Sequence, residues 1–235
     1  MHSTGAGISI DSAQQGEGPL ARGGSATARP RSSAKHLRRA CDVLAGLSFL
    51  SWAVLGLAHS TPADRTSIVR LLIAALNLLV GSLFLLRRFP RVLGGPGDLA
   101  AAMPSFLAGG AALKLTAAPA SWPSYANVLF GVGTALTLWA LASLGRSFAI
   151  LPAASDTVMR GPYRLLRHPA YAGELLMIAA CAVAQPSWPL AAIVLLAIPA
   201  VGWRVVVEER LLQRSAPGYS DYARRVRWRL LPGVW

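Results

Sequence analysis

Long apolar runs, each close to the length of one membrane crossing, alternate with short basic or turn-forming loops along most of the chain. They cover about Val43 to Ala58, Ile68 to Leu86, Leu99 to Ala118 and Tyr125 to Leu144. A helix needs roughly 20 residues to cross the hydrocarbon core, and each run comes near that length. The runs are continuous rather than alternating, and they are built from Ala, Leu and Gly, so the pattern predicts helices and not strands. A fifth stretch, about Leu175 to Trp203, is too long for one straight span. It is interrupted at 185–189 by QPSWP, and proline breaks helix continuity. The pattern therefore predicts two helices joined by a tight turn, a hairpin that begins and ends on the same side.

The stretches between the runs have turn-type composition: HSTPADRTS, RRFPR, GGPGD and APASWPS. Residues 1–34 are rich in Gly, Ser, Ala and Pro without apolar period and are expected to be a disordered basic tail. They contain no compact apolar segment of the secretory-signal kind. The expected organisation is a tail over 1–34, four transmembrane helices over 35–144, and a C-terminal region over 145–235 in which the candidate chemistry lies. The last region comprises a polar turn, the hairpin and an amphipathic C-terminal helix ending in a Trp-bearing basic segment suited to the lipid interface. The fold class predicted is all-α, a polytopic membrane helix bundle of four transmembrane helices plus a C-terminal helical hairpin.

Composition supports the membrane reading. Apolar residues make up 54% of the 235 residues and charged residues 14%, against roughly 25% charged in ordinary globular chains. The net charge of +13, interleaved with apolar runs, points to anionic lipid head groups rather than nucleic acid. Of the 23 Lys and Arg residues, the segments expected on the inner side carry 17, and the opposite side carries Arg65, Arg70 and Lys114. The positive-inside rule then places both termini in the cytoplasm. Lys114 falls within the third run and is expected to snorkel or to line a cavity. Cys41 and Cys181 lie in apolar runs with no CxxC pair or Cys/His cluster, which gives no basis for a disulfide framework or a metal site. Gly109, Gly110, Gly131 and Gly133 permit close helix packing, within or between chains.

Candidate chemistry lies at the entrance to the hairpin, in RGPYRLLRHPAYAGE (160–174). Pro169 suits the first turn of a helix, where a missing amide hydrogen costs nothing. The helix start is an anion site by virtue of its free amides and dipole. Arg167 adds a guanidinium with bidentate geometry, and Tyr163 and Tyr171 offer flat faces for a ring. An ordinary interfacial anchor is the competing reading of this segment. Arg204, Glu208 and Glu209 stand where the hairpin returns. Arg204 and Glu208 share a helix face, and adjacent carboxylates beside a membrane need a partner or a task. A simple ion pair with Glu209 in solvent is the competing reading here.

GPYRLLRHPAYAG, then R-x3-EE-x-L after a hairpin, then GYSDYARRV, resembles the isoprenylcysteine carboxyl methyltransferase family. These are integral-membrane S-adenosylmethionine enzymes, with relatives that methylate phospholipid amines and small thiols. The resemblance covers roughly residues 145–232. It implies that Ser155, Asp156, Thr157 and Val158 match a stretch lining the cofactor pocket, although DTVM departs from the usual Leu-Val there. It implies cofactor contacts for Tyr163, for His168, Pro169, Ala170 and Tyr171, and for Glu208, with Arg167 and Glu209 beside them. Arg204 matches the Arg assigned to the methyl acceptor. The implied cofactor is S-adenosyl-L-methionine; the apolar helices suggest a lipophilic acceptor entering from the bilayer, and the Ala, Leu and Arg bias suits a bacterial cytoplasmic membrane.

The residue types fit methyl transfer. A sulfonium methyl is already activated, so the protein mainly positions the reactants and excludes water. A guanidinium at Arg204 suits an acceptor carboxylate through two parallel hydrogen bonds. His168 is expected to bind rather than to act as a base. Two other readings stay open at this point. One is a nicotinamide-dependent reductase of the sterol type, which shares a similar C-terminal hairpin. The other is a non-catalytic membrane protein.

Overall fold

The computed structural model of the chain describes residues 32–65, 67–87, 92–93, 96–116, 118–147, 153–154 and 158–235. The helices are α1 (Ser32–Ala58), α2 (Pro62–Arg65), α3 (Ile68–Leu86), α4 (Pro96–Leu115), α5 (Ser124–Leu144), α6 (Pro169–Ala184), α7 (Trp188–Ser215) and α8 (Tyr219–Arg225). A two-residue antiparallel ladder joins β1 (Val92–Leu93) to β2 (Ala153–Ala154), a detail the apolar pattern does not predict. The architecture is otherwise the expected all-α bundle. The apolar stretch after residue 174 divides as predicted: α6 ends at Ala184 and α7 starts at Trp188, because Pro186 and Pro189 leave no room for a continuous helix.

Among the described residues, four helices are long and apolar enough to cross a membrane: α1 from Arg39, α3, α5 and α7. The sequence pattern placed α4 in this set, but α4 falls outside it. Its 20 residues include Pro104, Lys114 and three Gly residues, which lower its hydropathy. Helix α4 is nonetheless an integral part of the bundle, lying mainly against α7. Lys114 is exposed near its end.

Close helix approach rests on small residues. Helices α5 and α6 form the most extensive contact in the bundle, and α1 packs on α3. A Cβ placed on Gly133 would meet the Gly173 carbonyl oxygen at 2.8 Å, and one on Gly173 would collide with Thr137 Oγ1 and the Gly133 carbonyl. The α5–α6 crossing is thus nearly backbone to backbone. Of the four glycines singled out from the sequence, Gly133 alone makes this contact. A Cβ on Gly109 or Gly110 would meet nothing within 4 Å. Gly173→Val is expected to push α6 off α5 and destabilise the protein by about 1–3 kcal/mol, the usual cost of overpacking. Thermal unfolding in detergent against a Gly110→Val control checks this.

Charged side chains tie the two ends of the bundle. At one end Arg87 pairs with the buried Asp42, and Arg39 donates to the Leu85 carbonyl, joining α1 to α3. At the other end Asp64 accepts from Arg70 and from the Ala120 backbone N–H at 3.2 Å. The Asp42 end is the end at which α5 stops, α6 starts and α7 leaves the bundle.

Candidate active site

The turn before α6 has a fixed shape. Gly161 has φ +60, a conformation that L side chains rarely adopt, and a Cβ there would collide with Ser143 Oγ. Pro162 and Tyr163 are buried, and the Pro162 carbonyl accepts from the Leu165 and Leu166 N–H groups. Pro169 then opens α6 as the sequence predicts, with the His168 carbonyl accepting from Tyr171 and Ala172.

The basic, Trp-bearing tail, expected to suit the lipid interface, also braces the site. The Trp228 carbonyl accepts from Arg167 N–H at 2.9 Å, and the Arg229 carbonyl accepts from His168 N–H at 2.9 Å. Trp228 and Trp235 lie against the cluster of Val201 and Val205. A non-helical linker has unpaired backbone groups, and the linker before α6 finds their partners in this tail.

Glu209 anchors the arrangement. Its Oε1 accepts from Arg167 Nη1 at 3.0 Å and stands 3.3 Å from His168 Nε2, while its Oε2 accepts from Arg229 Nε at 2.9 Å. Arg167 also donates to the Val226 and Ala223 carbonyls, each at 2.7 Å. Tyr222 donates to the Tyr163 carbonyl at 2.8 Å. Burial pushes the Tyr163, Tyr219 and Tyr222 phenols far above the ordinary tyrosine range, with Glu208 adding to the shift at Tyr163. All three are therefore neutral.

A cavity of about 400 Å³ opens beside this cluster, within the usual size range for small-molecule sites. Its polar end holds Tyr163, Arg167, His168, Tyr171, Arg204 and Glu208. It continues along one face of α6 through Glu174, Met177, Ile178 and Cys181, which recur at helical spacing. From Tyr171 to Cys181 that face is about 15 Å long.

At the polar end the side chains are layered. The His168 and Tyr171 rings are parallel with centroids 5.6 Å apart, and the Arg204 guanidinium lies 4.4 Å over the Tyr171 ring. Tyr171 donates to Glu208 Oε2 at 2.5 Å. Arg204 is 3% exposed. Its Nη1 donates to Ser105 Oγ of α4 at 2.8 Å and stands 3.9 Å from Glu174 Oε2.

Of the residues singled out from the sequence, Val158, Tyr163, Arg167, His168, Ala170, Tyr171, Arg204 and Glu208 all line this one cavity. Pro169 is a helix-start residue outside the lining. Glu209, expected beside the cofactor, is held in the ion cluster next to these residues and is outside the lining. Ser155, Asp156 and Thr157 lie outside the described residues. Sequence reasoning missed Glu174, Ser105, Tyr219 and Tyr222. The spacing of Glu174, three residues after Tyr171 on the same helix, was a usable signal. The approach of α4 that brings in Ser105 has no local one.

Residues 123–216 match the phospholipid methyltransferase family. That family belongs to the isoprenylcysteine carboxyl methyltransferase group of membrane methyltransferases, so the resemblance read from the motifs is borne out. The matched segment runs from the start of α5 to the end of α7, and thus includes both halves of the hairpin. Among curated proteins, the nickel-cobalt-cadmium resistance protein NccN of Alcaligenes xylosoxydans xylosoxydans is 35% identical over 91 residues, covering 36% of this chain. The chain spans 42% of that relative's length. Together with the four apolar helices, the family match makes this an integral membrane protein.

Proposed function

We propose that the protein transfers the methyl group of S-adenosyl-L-methionine to a lipophilic acceptor that reaches the site from the bilayer. The favoured acceptor is the carboxylate of an isoprenoid or prenylcysteine-like compound. The observation that carries this reading is the single cavity linking a charged, ring-lined end to an apolar helix face. A soluble-substrate enzyme has no use for the second part, and a lipid anchor has no use for the first.

The residues fit the donor. Glu208, oriented by the Tyr171 hydroxyl, supplies a carboxylate for an ammonium group, and Tyr163 supplies a ring face for an adenine or a sulfonium. When bound, the donor supplies a methyl carbon that the acceptor oxygen attacks while the carbon–sulfur electron pair leaves on sulfur. Arg204 holds the acceptor carboxylate in line, and no protein base is required because the attacking oxygen carries no proton. Phe130, Met177 and Ile178 exclude water from the tail. The proposed setting is a bacterial cytoplasmic membrane with both termini inside, supported by the distribution of Lys and Arg.

The test is incubation of the purified protein, in lipid nanodiscs, with methyl-labelled S-adenosylmethionine and membrane extract. Label is expected in an organic-soluble, base-labile ester. Arg204→Gln is expected to abolish this label while S-adenosylhomocysteine still binds. Calorimetric binding of NADPH, with none of S-adenosylhomocysteine, would replace this reading with a reductase.

A further inference from the structure

On that reading of the acceptor, we infer that Glu174 is the internal counter-anion of Arg204, which an acceptor carboxylate must displace, and that Glu174 thereby sets selectivity for the acceptor head group. The other two carboxylates are fixed by hydrogen bonds, although the Glu208 charge also acts on Arg204. Glu208 accepts from Tyr171, and Glu209 is held by Arg167, His168 and Arg229. Glu174 Oε2 lies 3.9 Å from Arg204 Nη1, close enough for charge attraction and too far for an N–H···O bond. The Glu174 side chain is 21% exposed to the cavity, and that of Arg204 is 4% exposed. The pair is therefore loose on the side that a ligand approaches.

Position along α6 gives this pair its meaning. Glu174 stands one turn beyond Tyr171 and one turn before Met177 and Ile178, at the boundary between the polar end and the apolar face. An amphiphile whose tail lies along Met177 to Cys181 has its head group between Glu174 and Arg204. A carboxylate head then gains the guanidinium but faces Glu174, a like-charge contact that opposes its binding. A neutral head escapes that cost. After transfer the acceptor is a neutral ester, Arg204 returns to Glu174, and product release is favoured.

The experiment measures binding of farnesoic acid and farnesol to the full-length protein in nanodiscs, with S-adenosylhomocysteine binding as the control for an intact site. In Glu174→Gln, farnesoic acid is expected to bind about ten-fold more tightly, equal to about 1.4 kcal/mol, with farnesol unchanged. Glu174→Asp, which keeps the charge, is expected to keep the wild-type ratio of acid to alcohol. An unchanged ratio in Glu174→Gln overturns the inference and leaves the methyltransferase reading intact. Loss of turnover in Glu174→Gln with acid and donor analogue still bound also overturns it, by making Glu174 a proton acceptor. If Glu174→Gln loses S-adenosylhomocysteine binding, the Glu174→Asp ratio decides: a ratio changed from wild type overturns the inference. If the wild-type protein binds neither farnesoic acid nor S-adenosylhomocysteine, the underlying reading fails first.

Discussion

Glu208→Gln is expected to weaken S-adenosylhomocysteine binding roughly 10- to 100-fold, since a hydrogen bond to a charged group contributes about 1.5–3 kcal/mol. Helix content and the unfolding midpoint should stay at the wild-type values. Glu208 lines the cavity and accepts a hydrogen bond from the Tyr171 hydroxyl at 2.5 Å. The Gln amide oxygen can still accept that bond, so the change removes the charge and spares the packing. His168→Ala is expected to weaken binding less, because His168 supports the site through its ring contact with Tyr171. Wild-type affinity in both variants, measured calorimetrically, would remove Glu208 and His168 from the donor site.

The largest stability loss is expected from Glu209→Ala. Glu209 is 4% exposed and is the shared anion of Arg167, His168 and Arg229. Removing one partner of a buried ionic cluster costs about 3–5 kcal/mol, because the charges left behind stay desolvated. The tail that braces His168 should detach with Arg229, so donor binding should fail together with stability. Asp221→Ala is the matched control: its pair with Arg224 is on the surface, and such pairs contribute about 0–1 kcal/mol. Urea unfolding in mixed micelles compares the two, and equal midpoints would mean that the Glu209 cluster does not hold the site together. This role is one that adjacency in sequence conceals. Glu208 and Glu209 read as a tandem pair, but consecutive helix positions point about 100° apart. One faces the cavity and the other faces the tail.

Much of the protein is legible from local pattern. Lipid imposes runs of fixed length, and proline stops helices. The apolar runs, the division of the hairpin near Pro186 and the start of α6 at Pro169 therefore follow from composition and spacing alone. The motif RHPAY and the returning Arg204 and Glu208 mark the two banks of the site for the same reason, since each depends on residues within a turn or two of helix. Other features were settled only when distant segments met. Gly133 needed Gly173 opposite it before its missing side chain had a purpose. The basic tail after Val226 had the composition of a membrane anchor and became a backbone partner for Arg167 and His168. Ser105, ninety-nine positions from Arg204, became its hydrogen-bond partner. Periodicity records which face a residue occupies, and it carries no information about which other helix comes to that face. That choice belongs to the packing of the whole bundle.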